Sequence, residues 1–366
     1  MKLLFASTLK RKIGPDITAS RSRIIYELAA GMIKRGHQVS ILGTGDSQAE
    51  GAIIIPVIPT SFVDLPPFEN PFYAETSYLV QLAKKIEELA PQFDMIHNHT
   101  YPEFINLLAS EGIKTPMVTT VHAQGTPEFD DVLSLFSTAN LISISNAHKK
   151  MFKKTLFKRI IYNGIDTDLY SFSNKKREYL LWLGRLSKAK NKDGSFMDPK
   201  GIKWAIELAR QTGENLLLSG NVEDMEFYNR DVKPYLNDKI KWVGPISSEQ
   251  ALTLEEVISL MQGAKAFLMT INWEEPFGLV MAEAMSCGTP VIAFDKGSVS
   301  ELIVDGKTGF VVVPEQGLEG LKTALSKINN INFQDCRDHV LQNFSLEKMV
   351  ENYEKIYNEI LSANGG

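Results

Sequence analysis

Cysteine is scarce in this sequence: Cys287 and Cys336 are the only two in 366 residues, and no C-x-x-C spacing occurs. That excludes a disulfide framework and a cysteine-built zinc site, and it fits a reducing compartment. No stretch approaches the roughly 20 apolar residues that a membrane-crossing helix needs. The apolar run from Met1 to Ala6 is too short for the core of a secretory signal and reads as a first buried strand. Basic residues are not in excess either: 39 Lys and Arg stand against 44 Asp and Glu, a formal net charge of −5. This argues against nucleic acid as a partner. Also missing is the G-x-G-x-x-G of a nicotinamide-binding oxidoreductase, since Ala6-Ser7-Thr8-Leu9-Lys10 stands after the first strand. The expectation is a soluble, cytoplasmic protein.

What is present is an ordinary globular composition, 44% hydrophobic and 23% charged, in a chain longer than one core usually fills. Short apolar runs alternate with amphipathic segments throughout, the pattern of βαβ units on a parallel sheet covered on both faces. Strands are expected at 2–7, 39–42, 53–57, 95–98, 117–121, 141–145 and 159–161, and again at 179–184, 216–220, 240–243, 266–270, 290–294 and 310–313. Helices are expected near 24–35, 74–89, 200–211, 254–263, 279–287, 317–328 and 346–361. The fold class is therefore α/β with two doubly wound domains, residues 1–168 and 169–345. A terminal helix within 346–366 is expected to pack back on the first domain. The proline- and aromatic-rich segment 56–71 reads as a long surface loop.

The most informative stretch runs from Asn272 to Ala293. Glu275 precedes a helix, Pro276 suits its first position, and Glu283 is expected about one turn into that helix. The amides of Phe277, Gly278 and Leu279 would lie at the positive end of that helix, which suits a phosphorylated or hydroxyl-rich ligand. Two carboxylates facing one cleft would accept hydrogen bonds from two sets of vicinal hydroxyls. On an arbitrary helix the plainer reading is a first-turn acid followed by an exposed one.

Glu275-Pro276-Phe277-Gly278-Leu279, Glu283-Ala284, Gly288-Thr289-Pro290 and Asp305-Gly306-Lys307-Thr308-Gly309-Phe310 resemble the signature of retaining glycosyltransferases of family four, with its E-x7-E spacing. The resemblance implies the GT-B fold, two Rossmann-like domains facing each other across a cleft. It also implies transfer of a hexose, with retention, from a nucleoside-diphosphate sugar to a carbohydrate, lipid-linked or small-molecule acceptor. No metal and no cofactor beyond the donor are expected. Trp182-Leu183-Gly184-Arg185-Leu186 resembles the family's strand-end G-R, and Lys200 before Gly201 its diphosphate lysine. The polar insertion 187–198 between them makes Lys190 the runner-up. Thr119-Thr120-Val121-His122-Ala123 resembles the strand that ends in a histidine near the donor sugar. Glu275, His122, Arg185 and Lys200 are thus the expected catalytic residues, with Glu283, Phe277, Gly278, Leu279 and Lys190 on the donor.

His97 and His99, past another strand end, face the side where open α/β sheets bind ligands, and they are expected to line the cleft or meet the acceptor. Asp16 to Arg23 carries Ala19 and Ser20 where the family has a glycine doublet. There Arg21 and Arg23 either meet an anionic acceptor or form a solvated helix start. Asp166-Thr167-Asp168 has the form of a metal-binding D-x-D, but its setting, Tyr162-Asn163-Gly164-Ile165, matches the family's domain link. From Lys149 to Arg159 six cations surround Phe152, Leu156 and Phe157, reading as a charged face over a core stripe or as weak peripheral contact with an anionic membrane. Alternatives to transfer are a sugar-nucleotide epimerase of the same fold and a non-catalytic sugar-binding module.

Overall fold

The computed structural model describes residues 1–17, 20–175, 178–248 and 250–364. The chain divides into two compact units, residues 1–166 with 346–366, and residues 167–345. Unit 1 runs β1 (Lys2–Ala6), α1 (Ser20–Lys34), β2 (Gln38–Thr44), β3 (Ile53–Ile58), α2 (Pro71–Leu89), β4 (Met95–Asn98), α3 (Phe104–Ser110), β5 (Met117–Val121), α4 (Pro127–Ser134), β6 (Asn140–Ser143), α5 (Asn146–Lys150) and β7 (Arg159–Ile160). Unit 2 runs β8 (Tyr179–Leu186), α6 (Ile202–Thr212), β9 (Leu216–Val222), α7 (Met225–Asp231), β10 (Ile240–Trp242), α8 (Leu254–Gly263), β11 (Ala264–Met269), α9 (Leu279–Ser286), β12 (Val291–Phe294), α10 (Val299–Leu302), β13 (Gly309–Val312), α11 (Gly317–Lys327) and α12 (Phe333–Asn343). The last helix, α13 (Leu346–Asn364), belongs to unit 1.

Each unit is an open parallel sheet, ordered β3-β2-β1-β4-β5-β6-β7 in unit 1 and β10-β9-β8-β11-β12-β13 in unit 2. The central strands β4, β5 and β12 are buried along their whole length. β12, Val-Ile-Ala-Phe, therefore reads as a continuous apolar run, whereas β4 and β5 bury the polar residues His97, Asn98, Thr119 and Thr120. The short helices α3, α4, α5, α7 and α12 were not separated from loops by periodicity. Local chemistry still sets some of their ends. Thr126 caps α4 through the Phe129 N–H with Pro127 at the first position, and Asp224 accepts the Glu226 and Phe227 N–H groups ahead of α7.

Helix α13 lies against α1, where Gly31 leaves room for Val350. Glu354 binds Arg35 at 2.7 Å and His37 at 2.8 Å. Further along, the Tyr353 hydroxyl meets Thr120 at 2.8 Å and the Tyr357 hydroxyl meets His97 Nδ1 at 2.5 Å, so α13 reaches under β4 and β5. In both sheets the strand order reverses beside the first strand, between β1 and β4 and between β8 and β11. Open α/β sheets bind ligands past the carboxyl ends of strands at that reversal.

Candidate active site

In unit 2 Gly184 and Arg185 stand among the last paired residues of β8, and the chain leaves β11 toward Glu275, on either side of the reversal. Lys200 Nζ lies 2.7 Å from Glu275 Oε2 and 4.6 Å from the centroid of the Trp273 ring, whose Nε1–H donates to the same oxygen at 3.1 Å. Several contacts fix this arrangement. The Asn272 N–H donates to Pro199 O and its side-chain amide to Asp198 O. The Thr270 hydroxyl donates to Gly201 O at 2.7 Å. Gly201 has φ +70°, and a Cβ there would overlap the Thr270 carbonyl, so the turn carrying Lys200 requires glycine. Asp198 accepts the Ile202 and Lys203 N–H groups, and burial pushes its carboxyl above the ordinary range despite those bonds. Lys200 accordingly lies outside α6, which starts at Ile202.

Glu275 is buried on an equally crowded backbone: a Cβ at Gly297 would overlap its N, C and O, and the Ser298 N–H donates to its carbonyl at 2.9 Å. The expectation that Pro276 opens the helix is corrected. Gly278 sits at φ +80°, outside helical geometry, so α9 begins at Leu279 and Pro276 belongs to the approach loop. The N-cap residue, Gly278, has no side chain with which to cap α9. Phe277 is a core residue whose carbonyl accepts the Ser298 hydroxyl at 2.7 Å. Glu283 is buried on α9, not an exposed helix acid.

Arg185 is half exposed and loosely paired with Glu223 at 3.2 Å, a surface contact worth little by itself. The Cβ of Lys200 packs over Gly184, one residue before Arg185. Lys190 goes elsewhere. Residues Lys190 and Phe196 bridge across a small hairpin, and the Lys190 ammonium lies 2.9 Å from Glu226 and over the Phe196 ring. Of the two lysines, Lys200 is the one that meets Glu275.

In unit 1 a second cluster forms past β4 and β5. His122 is half-buried, and its Nε2 is 2.9 Å from His99 Nδ1. Glu103, fully buried, accepts the N–H groups of His122 (3.2 Å) and Ala123 (3.4 Å) and the Arg21 guanidinium (2.8 Å). Arg21 also donates to the carbonyls of His99 and Thr100 and lies over the Tyr101 ring. Burial, then the Arg21 charge, holds His122 well below the ordinary histidine range and pushes His99 down to about 3. Both rings are neutral at physiological pH.

Two expected ligand contacts turn inward. His97 is buried with both nitrogens engaged, by Thr120 Oγ1 at 2.7 Å and Tyr357 at 2.5 Å, its ring 3.8 Å from that of His99. The strand phase places both histidines on one side, but α13 covers that side at His97. Arg23, two residues after Arg21 and hence on another face of α1, is buried against Glu27 at 3.4 Å. Ala19, sought as a glycine equivalent, lies outside the described residues. Glu103 and Trp273 were not singled out from sequence; Glu103 stands just beyond the His97-to-Thr100 strand end, and Trp273 within the Glu275 run.

The basic stretch 149–159 is not a continuous helix, since α5 ends at Lys150. Phe152 and Phe157 enter the core and only Leu156 is exposed. Asp130 holds the segment by accepting the N–H groups of Lys153, Lys154 and Thr155 and the Thr155 hydroxyl. Among the described residues, no helix is long and apolar enough to cross a membrane, and no group of three or more His, Cys, Asp or Glu is placed to hold a metal ion.

Comparison with known proteins identifies the family and the fold. The family profile described as Glycosyltransferase Family 4 matches residues 22–169, and that described as Glycosyl transferases group 1 matches residues 170–331. N-acetyl-alpha-D-glucosaminyl L-malate synthase of Bacillus anthracis is 23% identical over 96% of this chain and 98% of its own. Among solved structures, sucrose-phosphate synthase from Thermosynechococcus elongatus superposes with a TM-score of 0.77 at 17% identity, covering 99% of each chain. Anabaena HepE in complex with UDP-glucose gives 0.68 at 20% identity, over 99% of this chain and 100% of that one. The chain belongs to the family 4 glycosyltransferases and has the GT-B fold.

Proposed function

We propose that the protein transfers a hexose, with retention of configuration, from a nucleoside-diphosphate sugar to a hydroxyl-bearing acceptor. The observation that carries this reading is the Lys200–Glu275 pair beside Trp273 at the strand-order reversal of unit 2. A paired ammonium and carboxylate at 2.7 Å is matched to a ligand bearing both an anion and hydroxyls. On binding, Lys200 exchanges its carboxylate for a diphosphate oxygen and Glu275 accepts from sugar hydroxyls. Arg185, in an exposed pair with Glu223, grips phosphate oxygens bidentately. Glu283 takes the ribose hydroxyls, and the amides at the start of α9 add positive potential.

The acceptor oxygen forms a bond to the anomeric carbon as the bond from that carbon to the diphosphate oxygen breaks. The acceptor proton passes to the departing phosphate, giving a glycoside and a nucleoside diphosphate. Arg185 and Lys200 stabilise the charge that develops on the leaving group. His122 hydrogen-bonds a sugar hydroxyl. UDP-glucose, bound in the HepE structure, is the first donor to try. Glu275→Ala is expected to lower UDP release from UDP-glucose by about 100- to 1,000-fold, the cost of deleting one preorganised transition-state contact. A folded Glu275→Ala protein that releases UDP at the wild-type rate would refute the assignment.

A further inference from the structure

The histidine cluster of unit 1 leaves one question open: whether His122 offers its ligand a proton or a lone pair. His99 and His122 are neutral, so each ring carries a single N–H. One of them must donate across the 2.9 Å contact between His99 Nδ1 and His122 Nε2. If His122 donated, the proton of His99 would sit on Nε2. That atom is buried and has no partner among the described residues, while the ring around it packs against Phe5 and His97. A stranded buried N–H is the rarer and costlier defect. If His99 donates instead, its Nε2 holds only a lone pair. The one proton of His122 is then on Nδ1, a nitrogen with no partner among the described residues.

We infer that His99 is a positioning residue that fixes the tautomer of His122, so that His122 presents an Nδ1–H donor to a ligand oxygen. The surroundings keep the pair in place. His97, bonded at both nitrogens, lies against His99 at 3.8 Å, and Arg21 grips the His99 carbonyl. Glu103 fixes the backbone of His122 and Ala123. The chemical consequence concerns the ligand. An N–H donor selects an acceptor oxygen, such as that of a sugar hydroxyl, and does not abstract a proton. That His122 meets the sugar rests on the proposed function; the tautomer does not, and its test needs neither donor nor acceptor.

The test is long-range ¹H–¹⁵N correlation spectroscopy of the full chain labelled at histidine nitrogen, with assignments from His122→Asn and His99→Asn. The expected spectrum shows His122 with a protonated Nδ1 and a bare Nε2 at neutral pH. His99→Asn places an amide N–H where Nδ1–H was and should preserve that state. His99→Ala should move His122 toward the Nε2–H form that free histidine side chains favour. A wild-type spectrum with His122 protonated at Nε2 overturns the inference, as does an Ala variant that keeps the full Nδ1–H signature. Should the Ala variant fail to fold, the wild-type and Asn spectra still decide. If the Nδ1–H form is found while His122→Ala transfers sugar normally, the tautomer stands and the role given to His122 in transfer falls.

Discussion

Units 1 and 2 place their candidate groups alike, past the carboxyl ends of central strands in parallel sheets, yet hold them by different physics. In unit 1 the groups are neutral rings beside one buried ion pair, all locked by fixed hydrogen bonds: His97 between Thr120 and Tyr357, His122 against His99, and Glu103 between Arg21 and the His122 N–H. In unit 2 they are charged, with Lys200 against the buried Glu275 and the half-exposed Arg185 against Glu223. A neutral ring with one free nitrogen keeps one hydrogen-bonding identity. The exposed Arg185–Glu223 pair can be traded for a ligand's own charges at small cost, because exposed pairs contribute little to stability, whereas the more buried Lys200–Glu275 pair parts only for a ligand that gives both charges new partners. The comparison teaches that unit 1 is built to orient and unit 2 to exchange partners.

The largest blow to this contrast comes from the backbone of unit 2. Gly201→Ala forces a Cβ into the Thr270 carbonyl at a left-handed position, and it is expected to cost about 3 kcal/mol by urea unfolding and to displace Lys200. An unchanged midpoint would show that the Lys200 turn is not held as described. A smaller effect isolates unit 1. The folded pKa of His99 is about 3 against an ordinary 6.5, so its neutral burial contributes stability above pH 6.5 that is lost as pH falls toward 3. Each pH unit in that window costs about 1.4 kcal/mol per such histidine. His99→Asn removes that titration, so the variant should lose less stability than the wild type between pH 7 and pH 4. The smallest effect is ionic strength. Binding of a nucleotide sugar to unit 2 should weaken a few-fold when salt shortens the screening length from about 10 Å toward 3 Å. The tautomer of His122 should not move.

Much of this was legible in the sequence because it is local. The E-x7-E run, the strand-end Gly184-Arg185 and the apolar periodicity of the long helices are each contained within a few turns of chain. What was not legible depends on elements far apart in sequence. His97 reads as a ligand-facing histidine until α13, some 260 positions on, supplies Tyr357. Arg21 and Arg23 look equivalent until the phase of α1 sends one to Glu103 and the other to Glu27. That Lys200 meets Glu275 while Lys190 meets Glu226 depends on a close approach of Gly201 to Thr270, which only the fold reveals. Pro276 misled because proline favours a first helical position, whereas the left-handed Gly278 delays the helix to Leu279.

The most direct test of the donor site is thermal denaturation of wild type and Lys200→Ala with a panel of nucleoside-diphosphate hexoses differing in base. At about 100 times its dissociation constant the true donor adds about 2.7 kcal/mol to stability, a clear rise in melting temperature. At least one donor should raise the wild-type midpoint, and Lys200→Ala should lose most of that rise. A panel that leaves the wild type unmoved, or a full rise retained without Lys200, would contradict the account.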